Sequence, residues 1–207
     1  AKQNTNFNII KSKLNNEKLN SDSKILILRE QGVGDELLYG SMYKDLLQYC
    51  PNAIIECDER LLNMFQYSFE KKYKNNFVKL ATISKDANHL LKIDRVIYAG
   101  SLGRFFRNNI ESFPQDPYLK IDKNKINKMA LCLKQLTKKY KVGISWKSFK
   151  NNYAYEKSLE LSDLNNILNL SDIDFINLQY GNIKNELEVF CNSSKYSIFS
   201  ISNLDLF

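Results

Sequence analysis

Residues 25–28 read Ile-Leu-Ile-Leu, four apolar positions with no polar alternation. Strands buried on both faces of a parallel sheet have this pattern, because helices cover the sheet on either side. The period then changes. Leu37, Leu38, Tyr43, Leu46 and Leu47 recur at helical spacing up to Cys50 and halt at Pro51, which predicts one helix over 37–50. Ala53 to Cys57 follows as a short strand, and Asp58 and Glu59 open a helix whose apolar face is Leu61, Leu62, Met64, Phe65 and Phe69. Phe77 to Leu80 and Arg95 to Tyr98 are further short strands. Alternating βα units of this kind predict an α/β fold, a Rossmann-like parallel sheet covered by helices.

The pattern breaks at Pro114 and Pro117, which mark a boundary region. A lysine-rich helix from about Lys123 to Tyr140 leads into a second unit. Lys141 to Trp146, Asp174 to Gln179 and Tyr196 to Ile201 read as its strands, with Ser162 and Asp163 capping one helix and Ile183 to Cys191 forming another. Three strands and two helices are fewer than a doubly wound domain of ordinary size holds, so this unit is expected to be incomplete. Residues 1–23 are polar and without periodicity, and read as a leader or linker. The expected organisation is therefore 1–23, then 24–122, then 123–207.

Between the first strand and the first helix the chain reads Arg29-Glu30-Gln31-Gly32-Val33-Gly34-Asp35-Glu36. Gly32 and Gly34 supply the freedom for a sharp turn, and Asp35 stands where an N-cap is expected. Ligands of open α/β sheets collect at this end of the strands. The pattern is not a dinucleotide fingerprint, since Leu37 occupies the place of the third glycine. Asp35 and Glu36 would also repel a pyrophosphate, so a neutral, hydroxyl-bearing ligand suits the turn better. A plain helix cap is the alternative for Asp35.

With 207 residues, 43% of them hydrophobic, the chain can bury one good core or two small ones. No apolar run approaches the roughly 20 residues of a membrane span, and residues 1–20 lack the apolar core of a signal peptide, which makes the cytoplasm the expected location. Cys50, Cys57, Cys132 and Cys191 form no C-x-x-C pair, and His89 is the single histidine. No metal cluster and no Ser-His-Asp triad is therefore expected, and chemistry must rest on carboxylates and lysines. The net charge of +7 permits an anionic partner, but the clusters Lys71-Lys72-Tyr73-Lys74 and Lys138-Lys139-Tyr140-Lys141 read as solvated helix ends, and no nucleic-acid motif is present.

Seven segments occur in an order that carries a resemblance: 29–40, 56–69, 99–107 (Ala-Gly-Ser-Leu-Gly-Arg-Phe-Phe-Arg), 113–119, 142–148 (Val-Gly-Ile-Ser-Trp-Lys-Ser), 157–159 and 177–181 (Asn-Leu-Gln-Tyr-Gly). Together they resemble the glycosyltransferase region that follows tetratricopeptide repeats in many bacterial proteins. That region is itself similar to the heptosyltransferases and, distantly, to the O-linked N-acetylglucosamine transferases. The resemblance covers about residues 24–207.

It implies a GT-B architecture, in which two Rossmann-like domains face each other across a cleft, the first receiving the acceptor and the second the nucleotide sugar. It implies an enzyme that moves a sugar from a nucleoside-diphosphate sugar, such as a UDP- or ADP-sugar, to a hydroxyl of a glycan, lipid or protein, without a metal or other cofactor. Asp35 matches the proposed general base, with Gln31, Gly32, Gly34, Glu36, Ser101 and Arg104 on the acceptor side. Lys157, or else Lys147, matches the lysine that meets the donor diphosphate, in a polar loop that also carries Ser148, Lys150 and Ser158 beside Trp146. Gln179, Tyr180 and Gly181 would touch base or ribose, or else form a plain strand end and turn. Tetratricopeptide repeats are not found in the sequence, and family members continue past the position of Phe207 into an Asp-Thr-x-x-x-His loop that has no counterpart here. Two other readings stay open. One is an NAD-type enzyme, with Glu56 or Asp58 as the ribose-binding acid. The other is a non-catalytic transferase-like module that binds a glycan or a protein.

Overall fold

The computed structural model describes residues 2–14, 19–79, 82–83, 85–149 and 155–201. The chain divides into two compact units, 1–121 and 122–207. In the first, α1 (Lys2–Lys13) precedes β1 (Ile25–Leu28), α2 (Val33–Gly40), α3 (Tyr43–Tyr49), β2 (Ile54–Cys57), α4 (Glu59–Ser68), β3 (Phe77–Lys79), α5 (Ala87–Leu91), β4 (Arg95–Tyr98) and the single turn α6 (Gly103–Phe106). The four strands form one parallel sheet in the order β3-β2-β1-β4.

The apolar run of β1 has the expected consequence. Alternate side chains leave a strand on opposite faces. Ile25 and Ile27 join a cluster with Tyr43, Leu46, Phe65 and Phe77, while Leu26 and Leu28 join Leu90, Ile93 and Val96 on the other face. Burying each such side chain stabilises the fold by about 2 kcal/mol, and that two-sided gain is what selects a central strand.

Two expectations change. Residues 1–23 are not all linker: α1 lies along the second face, where Ile9 and Ile10 pack on the Leu26 cluster, Leu14 bridges Val96, and Lys13 Nζ donates to Leu91 O at 3.0 Å. The helix expected over 37–50 is two helices, broken at Ser41 and Met42. The break has a partner, since Arg107 donates to Ser41 O at 2.7 Å and to Asp45 at 2.8 Å across it. The third strand is seen over Phe77–Lys79, and Leu80 lies outside the described residues.

The second unit holds α7 (Lys123–Leu133), β5 (Tyr140–Ile144), α8 (Asn165–Leu168), β6 (Ile173–Asn177), α9 (Lys184–Ser193) and β7 (Ile198–Ser200). Its strands are parallel, in the order β5-β6-β7. The leading helix stops at Leu133, short of the Tyr140 expected from sequence. Trp146, Leu161, Leu168, Phe175, Ile183 and Ile198 make the core. Among the described residues no helix is long and apolar enough to cross a membrane.

Candidate functional site

In the first sheet the chain leaves β1 toward β2 and β3 and later returns to β4 on the other side of β1. The order reverses between β1 and β4, and a crevice opens beyond the carboxyl ends of strands at such a point. Two loops border it. One is Arg29 to Gly32, leading into α2. The other is the 3-10 turn Ala99–Leu102 and α6, after β4.

The first loop is built around an unusual backbone. Gln31 adopts φ +56°, the left-handed region that a non-glycine residue seldom enters. Arg29 holds it there by donating from Nη2 to Gln31 O at 2.7 Å. This bend starts the helix early. Gly32, not Asp35, is the N-cap, and Asp35 sits one turn in at the third helical position. Its Oδ2 accepts the Gly32 N–H at 2.9 Å, and Oδ1 has no partner among the described residues. Half-buried Asp35, in the first turn of α2, thus has one carboxylate oxygen fixed by backbone and the other without a partner among the described residues. Gly34 is exposed with open space around it, Ser101 is half-buried on the second loop, and Arg104 is exposed on α6.

Glu36 does not belong with them. It is 0% exposed, faces inward, and accepts the Asp58 N–H at 2.8 Å while its Oε1 stands 2.9 Å from Arg29 Nε. Burial pushes its carboxyl above the usual glutamate range against the opposing pull of the Asp58 N–H and Arg29. Arg29 also reaches Asp58 at 3.1 Å, and Arg60 binds Asp58 from the other side at 2.8 Å. The Arg60 hydrogen bonds hold the Asp58 carboxyl down at about 2. Asp58 caps α4 through the Arg60 N–H, and Glu56 is buried, accepting the Ile83 N–H at 3.0 Å. The acids proposed for a dinucleotide ribose are thus already engaged within the fold.

Sequence reasoning missed Glu30. Its Oε2 accepts the Gly100 N–H at 2.7 Å, tying the two crevice loops together. The only sequence signal was its place in the segment 29–40, directly after the strand.

In the second unit, residues expected around a nucleotide sugar divide into braces and exposed groups. Gln179 is 4% exposed and spends its whole amide on the neighbouring loop. Its Oε1 accepts from Trp146 N and Lys147 N at 2.7 Å each and from Ser145 Oγ at 3.0 Å, and its Nε2 donates to Lys147 O and Tyr180 O at 2.9 Å each. Trp146 is likewise a core residue, 3% exposed, with Nε1 donating to Glu186 at 3.1 Å. Neither side chain is free for a ligand, because each is consumed by the packing of loop on core. Lys147 pairs with Glu186 at 2.9 Å and Glu160 at 3.5 Å, and the Glu186 hydrogen bond raises its pKa. Ser158 accepts the Ser148 N–H at 3.0 Å, and Tyr180 OH accepts the Phe149 N–H at 3.2 Å. Gly181 has φ +89° and lies under the Phe149 ring. Lys157 is exposed in the 3-10 turn Tyr155–Lys157 with no partner among the described residues, and Lys150 lies outside them.

Beyond the carboxyl ends of β6 and β7 an open cavity of about 460 Å³ is lined by Asn177, Gly181, Asn182, Lys184, Glu188 and Ser200 among others. Its size is within the range that takes a small organic ligand, and its amides and hydroxyl suit a polar one. Among the described residues no cluster of His, Cys, Asp and Glu could hold a metal ion.

No profile of a known family matches the sequence, and no solved structure matches the chain. Among curated proteins it is similar to Protein FlbA of Caulobacter vibrioides (strain ATCC 19089 / CIP 103742 / CB 15), with 26% identity over 196 residues. That alignment takes in 88% of this chain and 33% of FlbA, so the similarity runs through both units while the chain spans about a third of the relative's length.

Proposed function

We propose that the chain is a GT-B-type glycosyltransferase region of the kind linked to tetratricopeptide repeats, transferring a sugar from a UDP- or ADP-sugar to a hydroxyl acceptor. The observation that carries this reading is Asp35: a carboxylate at the switch point of a parallel sheet, one oxygen fixed by the Gly32 N–H and the other without a partner among the described residues. Such a group is placed to accept a proton from an acceptor hydroxyl as that oxygen attacks the anomeric carbon. The bond from the anomeric carbon to the donor phosphate breaks as the new glycosidic bond forms. Negative charge then gathers on the departing nucleoside diphosphate. Lys157, exposed and without a carboxylate partner among the described residues, suits that charge better than Lys147, which Glu186 and Glu160 already neutralise. The cavity at Asn177, Asn182 and Ser200 offers hydrogen-bonding groups to the ribose and base of the donor.

Calorimetric titration of the chain with UDP-, ADP- and GDP-sugars and with NAD tests the donor side. One sugar nucleotide is expected to bind, weakened by Lys157→Ala, and tighter binding of NAD would overturn the reading. Asp35→Asn is expected to cut transfer by about 10²- to 10⁴-fold, the usual weight of a general base, with nucleotide affinity unchanged. Transfer at the wild-type rate would remove Asp35 from its role.

A further inference from the structure

Glu30 follows β1 directly, and its Oε2 accepts the Gly100 N–H of the loop after β4 at 2.7 Å. It is the side chain that crosses the switch point. Gly100 is closed in from both sides, because a Cβ there would stand 2.8 Å from Glu30 Oε2 and 3.1 Å from Tyr39 Cζ, with the Tyr39 hydroxyl at 3.2 Å. The glutamate and the tyrosine therefore converge on Gly100, just past the carboxyl end of β4. Both are half-buried. A strap needs one oxygen only, and Oε1 has no partner among the described residues. Two neighbouring acids behave otherwise: Glu36, on α2, accepts the Asp58 N–H through one oxygen and holds the other 2.9 Å from Arg29 Nε at 0% exposure, and Asp58 meets Arg60 through both oxygens.

A carboxylate fixed through one oxygen has already given up most of its rotamer freedom, so it binds a second donor with little further ordering cost. An ionised oxygen also accepts more strongly than a neutral one. We infer that Glu30 is a specificity-determining binding residue of the crevice: its free oxygen accepts a hydrogen bond from a hydroxyl of a sugar or other polyol, beside the Tyr39 hydroxyl. This rests on reading the crevice as the acceptor side, and gives the acceptor a class, a ligand that carries at least one hydroxyl besides the one that reacts. A lone alcohol fills the Asp35 position and leaves Glu30 unused.

The test is a titration of the nitrogen-labelled chain with methyl glycosides of glucose, galactose and mannose to about 50 mM, the range where single-sugar affinities are read. At least one is expected to move the Gly32 and Gly100 amide signals. Glu30→Gln keeps a carbonyl for the Gly100 N–H but loses the charge, and is expected to weaken that glycoside about tenfold while Gly100 stays protected from exchange. If Glu30→Gln binds as wild type and only Glu30→Ala is impaired, Glu30 is a strap and nothing more. Absence of any shift at Gly32 and Gly100 overturns the inference as well. Sugar-nucleotide titration reads the donor side and does not involve Glu30, so failure there is told apart from failure here.

Discussion

Gln179→Met separates a brace from a ligand contact. Methionine keeps the length and near volume of glutamine in an apolar, adaptable side chain, so little packing is lost. What goes is the amide, with its three accepted and two donated hydrogen bonds. The Trp146 N–H is buried and finds no other acceptor, which costs about 1–3 kcal/mol. The other four groups are nearer solvent, where water recovers part of the loss, leaving roughly 0–1 kcal/mol each. The sum is about 3 kcal/mol, or a fall in melting temperature of roughly 15 °C for a unit of this size. Trp146 is the only tryptophan in the chain, so its fluorescence follows the second unit alone. A shift below about 3 °C, with sugar-nucleotide affinity lost, would refute the reasoning, since a ligand contact weakens binding and leaves a loop in place.

Three further substitutions probe the strand-end networks. Arg29→Met strands the Glu36 carboxylate in a site that is 0% exposed, and is expected to cost about 3–5 kcal/mol at pH 7 in urea unfolding. Because the folded pKa of Glu36 is raised, its contribution favours the fold below the unfolded value of 4.5 and fades as pH rises, so the deficit of Arg29→Met should shrink toward acid; a deficit constant with pH would contradict it. Asp58→Asn keeps an N-cap acceptor but loses the two arginine pairs; the carboxyl is held at about 2, so the wild type should lead by about 1–2 kcal/mol above pH 4. That lead should vanish as pH falls through about 2, which acid titration of both proteins by circular dichroism would read. Gly181→Ala meets both a φ of +89° and the Phe149 ring 2.5 Å from the new Cβ. It should lower the Trp146-reported melting point by about 5–10 °C, and adding Phe149→Ala should recover only the part due to the ring.

The central strand was legible because its burial is written into consecutive residues: Ile25 to Leu28 meet both clusters, as the unbroken apolar run requires. What was not legible depends on contacts far along the chain. Residues 2–13 carry too few apolar positions to announce a helix, and their place comes from the packing of Ile9 and Ile10 on the cluster of Leu26, Leu90, Ile93 and Val96. The break between α2 and α3 is set by Arg107, more than sixty residues downstream. Asp35 was misplaced by one turn because the left-handed Gln31 that starts the helix early is held by Arg29, a contact no propensity encodes.

The same non-locality explains which site residues were misread, and it points to one structural device. At the carboxyl ends of parallel strands the chain leaves the sheet, and loop amides lose their ladder partners. Glu30 takes the Gly100 N–H, Glu36 the Asp58 N–H, Glu56 the Ile83 N–H, and Gln179 the Trp146 and Lys147 N–H groups. Each acceptor stands where a ligand-binding residue of an α/β sheet also stands, so residue type and position cannot tell bracing from recognition. The difference lies in what remains after the backbone is satisfied. Gln179 has nothing left and Glu36 is sealed at 0% exposure against Arg29, whereas half-buried Asp35 and Glu30 each keep one oxygen without a partner among the described residues. Those two residues, one on each flank of the Gln31 bend, are where a hydroxyl-bearing ligand can still be met by the fold as it stands.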